Sequence, residues 1–224
     1  MRIAAISDIH GNLGALDAVL ADIRRRSVDL TVNLGDIVSG PLQPRETADR
    51  LMALELPTIR GNHERQVLAA DRDGMAMSDR FAADAITAVQ REWLAHLPAT
   101  LCPAEGVFLC HATPDSDTAC FLEDIRAGEL FAAPLARIEE RARTCSAPLI
   151  LCGHTHIPRV SHLPAGQVIV NPGSVGVQAY HGHHPIPHTV EMGSPHARYA
   201  LVERGADGWI ADLIAVPYDW ESAA

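Results

Sequence analysis

The chain has 224 residues, 47% of them hydrophobic, which suffices for one sizeable core, and no uninterrupted apolar run approaches the ~18 residues of a membrane span. Its formal net charge is -10 and all 18 basic residues are arginine; this acidic balance argues against non-specific nucleic-acid binding, which needs a basic stripe, but leaves anionic small molecules open, because bound divalent cations invert the local potential. Five cysteines, an odd number without Cys-x-x-Cys spacing, argue against a disulfide framework and a zinc knuckle.

In chain order, residues 2–7 read as a strand, and Leu13, Leu16, Val19, Leu20 and Ile23 follow at helical spacing. The segment before the first motif is too short for a secretory leader, so the expected location is cytoplasmic. Residues 29–34 read as a second strand, and Pro44 suits the first turn of a helix reaching about Leu54. Leu56 to Arg60 reads as a short third strand. Residues 64–97 read as mainly helical, with Ser78 as N-cap and Ala82, Ala85, Ile86, Val89, Trp93 and Leu97 on one face. Val107–Cys110 and Leu149–Cys152 are buried strands, and Pro134 opens a helix between them. Gln167–Val170, Arg198–Val202 and Trp209–Val216 read as strands without intervening helices. Residues 180–196, rich in His, Gly and Pro, read as a loop. The first two-thirds is βα-like and the last third β-rich. One domain over residues 1–224, an α/β fold of two packed mixed β-sheets flanked by helices, accounts for both.

Five short segments stand at the ends of apolar runs: Asp8-Ile9-His10, Gly35-Asp36, Gly61-Asn62-His63-Glu64, His111 and Gly153-His154-Thr155-His156. In open α/β sheets the loops at the carboxyl ends of strands converge and carry function. Singly, an Asp after a strand is a turn former or a helix cap, and a lone His is a surface or core residue. Five such segments in series supply enough oxygen and nitrogen ligands for two metal ions.

Taken together, these motifs resemble the calcineurin-like metallophosphoesterase superfamily, from Ile3 to about Ser174. Asn171-Pro172-Gly173-Ser174-Val175-Gly176 is similar to its small bacterial and archaeal phosphodiesterase branch, which includes diadenosine-tetraphosphatase-like relatives. The resemblance implies a four-layer α/β/β/α sandwich. It implies that Asp8, His10 and His156 hold one metal, that Asn62, His111 and His154 hold a second, and that Asp36 bridges both. The mixed nitrogen and oxygen set suits Mn, Fe, Zn, Ni or Co better than Ca. A hydroxide held between the cations would attack phosphorus, with Asp36 and His63 as catalytic residues and His63 as the acid.

Asn12, Asn62 and His63 are candidate substrate contacts; for Asn12, capping of the next helix is the plainer reading. Glu64 supports His63 or complements a helix dipole. Arg60, Arg65 and Arg159 flank motifs but read equally as solvated surface charges. His181, His183, His184 and His188 lack metal-site spacing and read as a solvated loop close to the mouth of the site. The expected substrate is a small phosphate ester, with nucleotides among the candidates, and a homo-oligomer remains open. A phosphodiesterase leads; a phosphomonoesterase, a Ser/Thr protein phosphatase-like enzyme and a metal-binding interaction scaffold are the alternatives.

Overall fold

The computed structural model describes residues 1–183, 185–206 and 208–223. The elements in chain order are β1 (Arg2–Ile6), α1 (Leu13–Ile23), β2 (Leu30–Asn33), α2 (Pro44–Met52), α3 (Asn62–Val67), α4 (Met77–Ala85), α5 (Ala88–His96), β3 (Thr100–Ala104) and β4 (Val107–Cys110). They continue with β5 (Glu123–Arg126), β6 (Glu129–Ala132), α6 (Leu135–Ala142), β7 (Leu149–Leu151), β8 (Arg159–His162) and β9 (Val168–Asn171). The last are β10 (Ala179–Gly182), β11 (His188–Glu191), β12 (Ala197–Gly205) and β13 (Gly208–Val216).

Two mixed sheets form the frame. One has the order β13-β12-β1-β2, the other β3-β4-β7-β9-β8. The parallel pairs β1–β2 and β4–β7 bring their carboxyl ends, and the loops that follow, to a common rim.

Side-chain alternation builds the layers, because successive strand residues point to opposite faces. From β1, Ile3 and Ala5 pack into the same cluster as Leu109, Leu149, Leu151, Val168, Val170, Ala200 and Val202, which lies between the sheets. Ala4 and Ile6 face the other way, onto Leu16, Val19 and Leu20 of α1, Leu51 of α2 and Leu94 of α5, with Tyr199 and Leu201 of β12. On the far sheet, Cys110, Ile150 and Ile169 turn outward onto Ile138 and Ala142 of α6. The result is helix, sheet, sheet, helix. Each fully buried Leu or Ile in these clusters contributes roughly 1.5–3 kcal/mol.

Several local expectations are corrected. Leu56–Arg60 is not a strand; only a single parallel bridge joins Asn33 to Thr58, because Pro57 and the descent into the third motif leave no room for a ladder. The apolar face read through residues 78–97 is split between two helices. Ile86 is extended, Thr87 starts α5 with a reciprocal cap to Gln90, and Val89 is 65% exposed. Met77, not a residue after Ser78, opens α4. Much of the segment at 180–196 is a β-hairpin, β10–β11, in which Ala179 pairs with Glu191 and Gly182 with His188; His184 lies outside the described residues. Strands β3, β5, β6 and β8 carry little signal in the sequence, because each is only four or five residues long and is interrupted by Pro103 in β3 or by charged residues in β5, β6 and β8. All five cysteines are free, with Cys110 and Cys152 buried. No described helix is long and apolar enough to cross a membrane.

Candidate metal centre

Asp8 and His10 follow β1, Asp36 follows β2, His111 follows β4, and His154 and His156 follow β7, while Asn62 opens α3. Asp8, His10, Asp36, Asn62, His111 and His156 are buried and His154 is partly buried. Their ligand atoms form two groups, Asp8–His10–His156 and Asp36–His111–His154, each with atoms within 4.8 Å of one another. Asn62 Oδ1 joins the second group, 3.2 Å from His111 Nε2 and 3.1 Å from His154 Nδ1. Asp36 Oδ2 lies 3.1 Å from His111 Nε2, and Asp8 Oδ1 lies 3.5 Å from His156 Nε2.

The imidazole hydrogen bonds decide what this cluster can hold. His10 Nδ1 donates to the Ser39 carbonyl at 2.7 Å, His111 Nδ1 to Leu34 at 2.8 Å, and His156 Nδ1 to Val177 at 2.8 Å. His154 uses the opposite nitrogen, its Nε2 donating to the Thr118 carbonyl at 3.0 Å. A carbonyl only accepts, so each bond pins the N–H and turns the other nitrogen's lone pair inward. His10 Nε2 and His156 Nε2 then face each other across 3.1 Å as two acceptors. Asn62 Oδ1 faces two imidazole nitrogens in the same way. Such crowding of lone pairs and carboxylates fits cations, and the donor set fits borderline divalent metals.

Electrostatics agree. Burial pushes the Asp8 carboxyl up to about 7 and lowers His10 and His154 to about 4 each. Burial also opposes charge on His111, but Asp36 and Asp8 outweigh it and raise this group to about 10; a cation at Nε2 would take the place of that proton.

Backbone geometry is equally particular. Asp8, His10, Asp36, His154 and His156 all have positive φ, between 51° and 69°. Non-glycine residues seldom adopt this region, and such strain concentrates at functional sites. Gly61 is required by close approach: a Cβ there would collide with Asp36 Oδ1 and lie 2.8 Å from the His111 ring.

His63 sits beside the cluster with its side chain 26% exposed. Its Nδ1 is 2.7 Å from Asp79 Oδ1, which also accepts from Ser39 Oγ at 2.6 Å. Its ring meets that of His10 edge-on at 5.3 Å. Desolvation opposes the imidazolium, yet Asp36 and Asp79 outweigh it and raise His63 to about 9.

Two supports carry no signal in the sequence, and a third, Glu64, has a different role from the one expected of it. Asp79 was masked as an ordinary first-turn acid of α4. Glu64 accepts backbone N–H groups from Asp36 at 2.8 Å, Ile37 at 2.7 Å and Gly61 at 2.7 Å, so it ties two motif loops together and does not touch His63. Glu123, fully buried, accepts from Thr155 Oγ1 and Arg159 Nε and so holds the His154–His156 loop. Only Glu64 carried a signal, its place in a motif.

Asn12 caps α1 through Oδ1, while its Nδ2 donates to Gly176 O and Tyr218 Oη. Arg65 pairs with Asp117, and Arg60 is exposed. Tyr180 of the hairpin packs on His156 at 4.7 Å, and His188 packs on Tyr180 at 5.9 Å.

The calcineurin-like phosphoesterase superfamily model matches residues 1–191, most of the chain and every motif above. The chain belongs to the calcineurin-like phosphoesterase superfamily. It is thus a phosphoric ester hydrolase of a superfamily that uses divalent metal ions. An uncharacterised protein of Methanocaldococcus jannaschii is 29% identical over 199 residues, 78% of this chain and 76% of its own. The crystal structure of a metallophosphoesterase from Sphaerobacter thermophilus matches at a TM-score of 0.76 and 25% identity, over 99% of this chain and 90% of that one. A hypothetical protein of Pyrococcus horikoshii shares the calcineurin-like fold at a TM-score of 0.78 and 21% identity, with the same coverage of 99% and 90%.

Proposed function

We propose that this hydrolase is a phosphodiesterase with a dinuclear centre, in which Asp8, His10 and His156 hold one divalent cation, Asn62, His111 and His154 hold the other, and Asp36 bridges them. The observation that carries this reading is the set of four imidazoles, each pinned by a backbone carbonyl so that its lone pair points inward. Mn, Fe, Zn, Ni and Co all suit these ligands. When bound, a metal pair of this kind supplies an activated water and neutralises charge on the phosphoryl oxygens.

The chain's own residues do the rest. Asp79 fixes His63 through Nδ1 and leaves Nε2 without a protein partner among the described residues. His63 Nε2 delivers the proton to the leaving oxygen as the ester bond breaks. The Glu64 clamp ties the Asp36 backbone to that of Gly61, the residue before Asn62. The substrate is a small phosphate ester, and a nucleotide suits the site.

The test is to strip the protein of metal, add back manganese, and compare bis-nitrophenyl phosphate with nitrophenyl monophosphate. Diester-dominant turnover supports the reading. Monoester-dominant turnover replaces it with a phosphomonoesterase, and metal binding without turnover of either replaces it with a scaffold.

A further inference from the structure

Beside the cluster lies a groove of about 380 Å³ that runs between motif residues and the C-terminal segment. His10, Pro41, Leu42 and Val177 line it together with Tyr218 and Trp220 of the C-terminal segment. Its volume falls within the range of small-molecule sites, which are concave, mostly apolar and equipped with a few placed polar groups.

The groove is built onto the metal-centre loops. Val177 accepts the Nδ1 proton of His156 through its carbonyl. Tyr218 Oη accepts from Asn12 Nδ2 at 3.0 Å, and Asn12 caps the helix that starts just after His10. Thus the last residues of the chain are tied to the first motif. Tyr218 Oη donates to no protein group among the described residues, so its proton can serve a ligand. Trp220 is 41% exposed, whereas Trp209 is 6% exposed and packed between the sheets. An indole this exposed beside Pro41, Leu42 and Val177 can offer aromatic surface to a ligand.

We propose that this groove binds one organic arm of the phosphate ester, and that the arm is a planar nitrogen heterocycle of the nucleobase type, stacked on Trp220 and accepting a hydrogen bond from Tyr218. The proposal deepens the phosphodiesterase reading and rests on it. Continuity decides the occupant: His10 lines the groove and also belongs to the Asp8–His10–His156 group, so a phosphoryl group bound at that group has the groove beside it for an ester substituent. The apolar flanks disfavour a charged arm, and the free Tyr218 proton favours a heterocycle over a hydrocarbon ring.

The test uses manganese-loaded protein and titration calorimetry with adenosine 5'-monophosphate and ribose 5-phosphate, which share a phosphate and differ by the base. The wild type is expected to bind the nucleotide about tenfold more tightly, in line with base–aromatic stacking. Trp220→Ala should bring the two ligands to within about twofold, while Trp220→Phe, which keeps an aromatic face, retains most of the difference. An unchanged melting temperature in both variants separates lost stacking from lost folding. Equal wild-type affinities, no nucleotide binding, or a preference that survives Trp220→Ala would overturn the groove assignment. Hydrolysis of bis-nitrophenyl phosphate is read separately on the same samples. Its absence sinks the phosphodiesterase reading, whereas a wild type that hydrolyses the diester without discriminating the base sinks only the groove.

Discussion

At the scale of single residues, the unusual feature is where strain and burial coincide. Asp8, His10, Asp36, His154 and His156 hold positive φ while buried or nearly so. Each costs on the order of 1–2 kcal/mol relative to an ordinary conformation, so the surrounding bonds must over-determine them. Glu64 does this for two loops at once. Glu64→Ala would leave three buried backbone N–H groups without their acceptor, at about 1–3 kcal/mol each. Urea unfolding with chelator present should show a loss of at least about 3 kcal/mol; a loss under 1 kcal/mol would deny Glu64 this role. For His63, His63→Ala should lower kcat by about 10²–10⁴-fold with little change in KM, as expected of a proton donor. Asp79→Asn keeps the shape but removes the charge that holds the ring. It should lower kcat roughly tenfold and leave KM and the melting temperature near wild type. A change in KM alone would move both residues from proton transfer to ground-state binding.

At the scale of elements, α1 is locked to its sheet by a polar pair beneath the apolar layer. Tyr199 Oη on β12 donates to Asp22 Oδ2 at 2.6 Å, and Arg25 and Arg26 pair with the same carboxylate at 2.8 Å and 2.6 Å. Desolvation works against the Asp22 charge, but the bonds from Tyr199 and the arginines prevail and hold its carboxyl below the usual range. A depressed carboxylate contributes stability above its unfolded pKa of about 3.9 and loses it as pH falls through the lower folded value. Asp22→Asn should therefore cost about 1–2 kcal/mol at pH 7 and distinctly less at pH 3, by urea unfolding at both. An equal cost at the two pH values would rule out the charge as the cause. Long apolar runs such as β1, β4 and β7 were legible because burial on both faces demands them. The break at Ile86–Thr87 was not, since the same apolar spacing runs through both helices and only the Thr87–Gln90 cap separates them. The β10–β11 hairpin escaped because histidine, glycine and proline hide its pairing; it is stabilised by tertiary packing, including Tyr180 on His156.

At the scale of the whole molecule, the two sheets are joined both by their shared core and by the centre at their rim. Asp8 and Asp36 come from one sheet, and His111, His154 and His156 from the other. Cations held by both halves would bind the folded chain and not the unfolded one. Such binding stabilises by about 2.7 kcal/mol at a hundredfold excess over the dissociation constant. Chelation should lower the melting temperature by several degrees and abolish ester hydrolysis, with both restored by manganese. A melting temperature indifferent to chelator and manganese would contradict the dinuclear reading. The sequence alone determined the α/β class, which is written in its local apolar runs, and the short motif segments, whose resemblance to the calcineurin-like superfamily implied the phosphoesterase chemistry. Only the tertiary structure decided how the motif side chains are supported. The carbonyls that pin the imidazoles, the Asp79 carboxylate behind His63, Glu123 under the histidine loop and the groove at Trp220 all come from segments distant in sequence. Their roles depend on distances of about 3 Å that no spacing along the chain encodes.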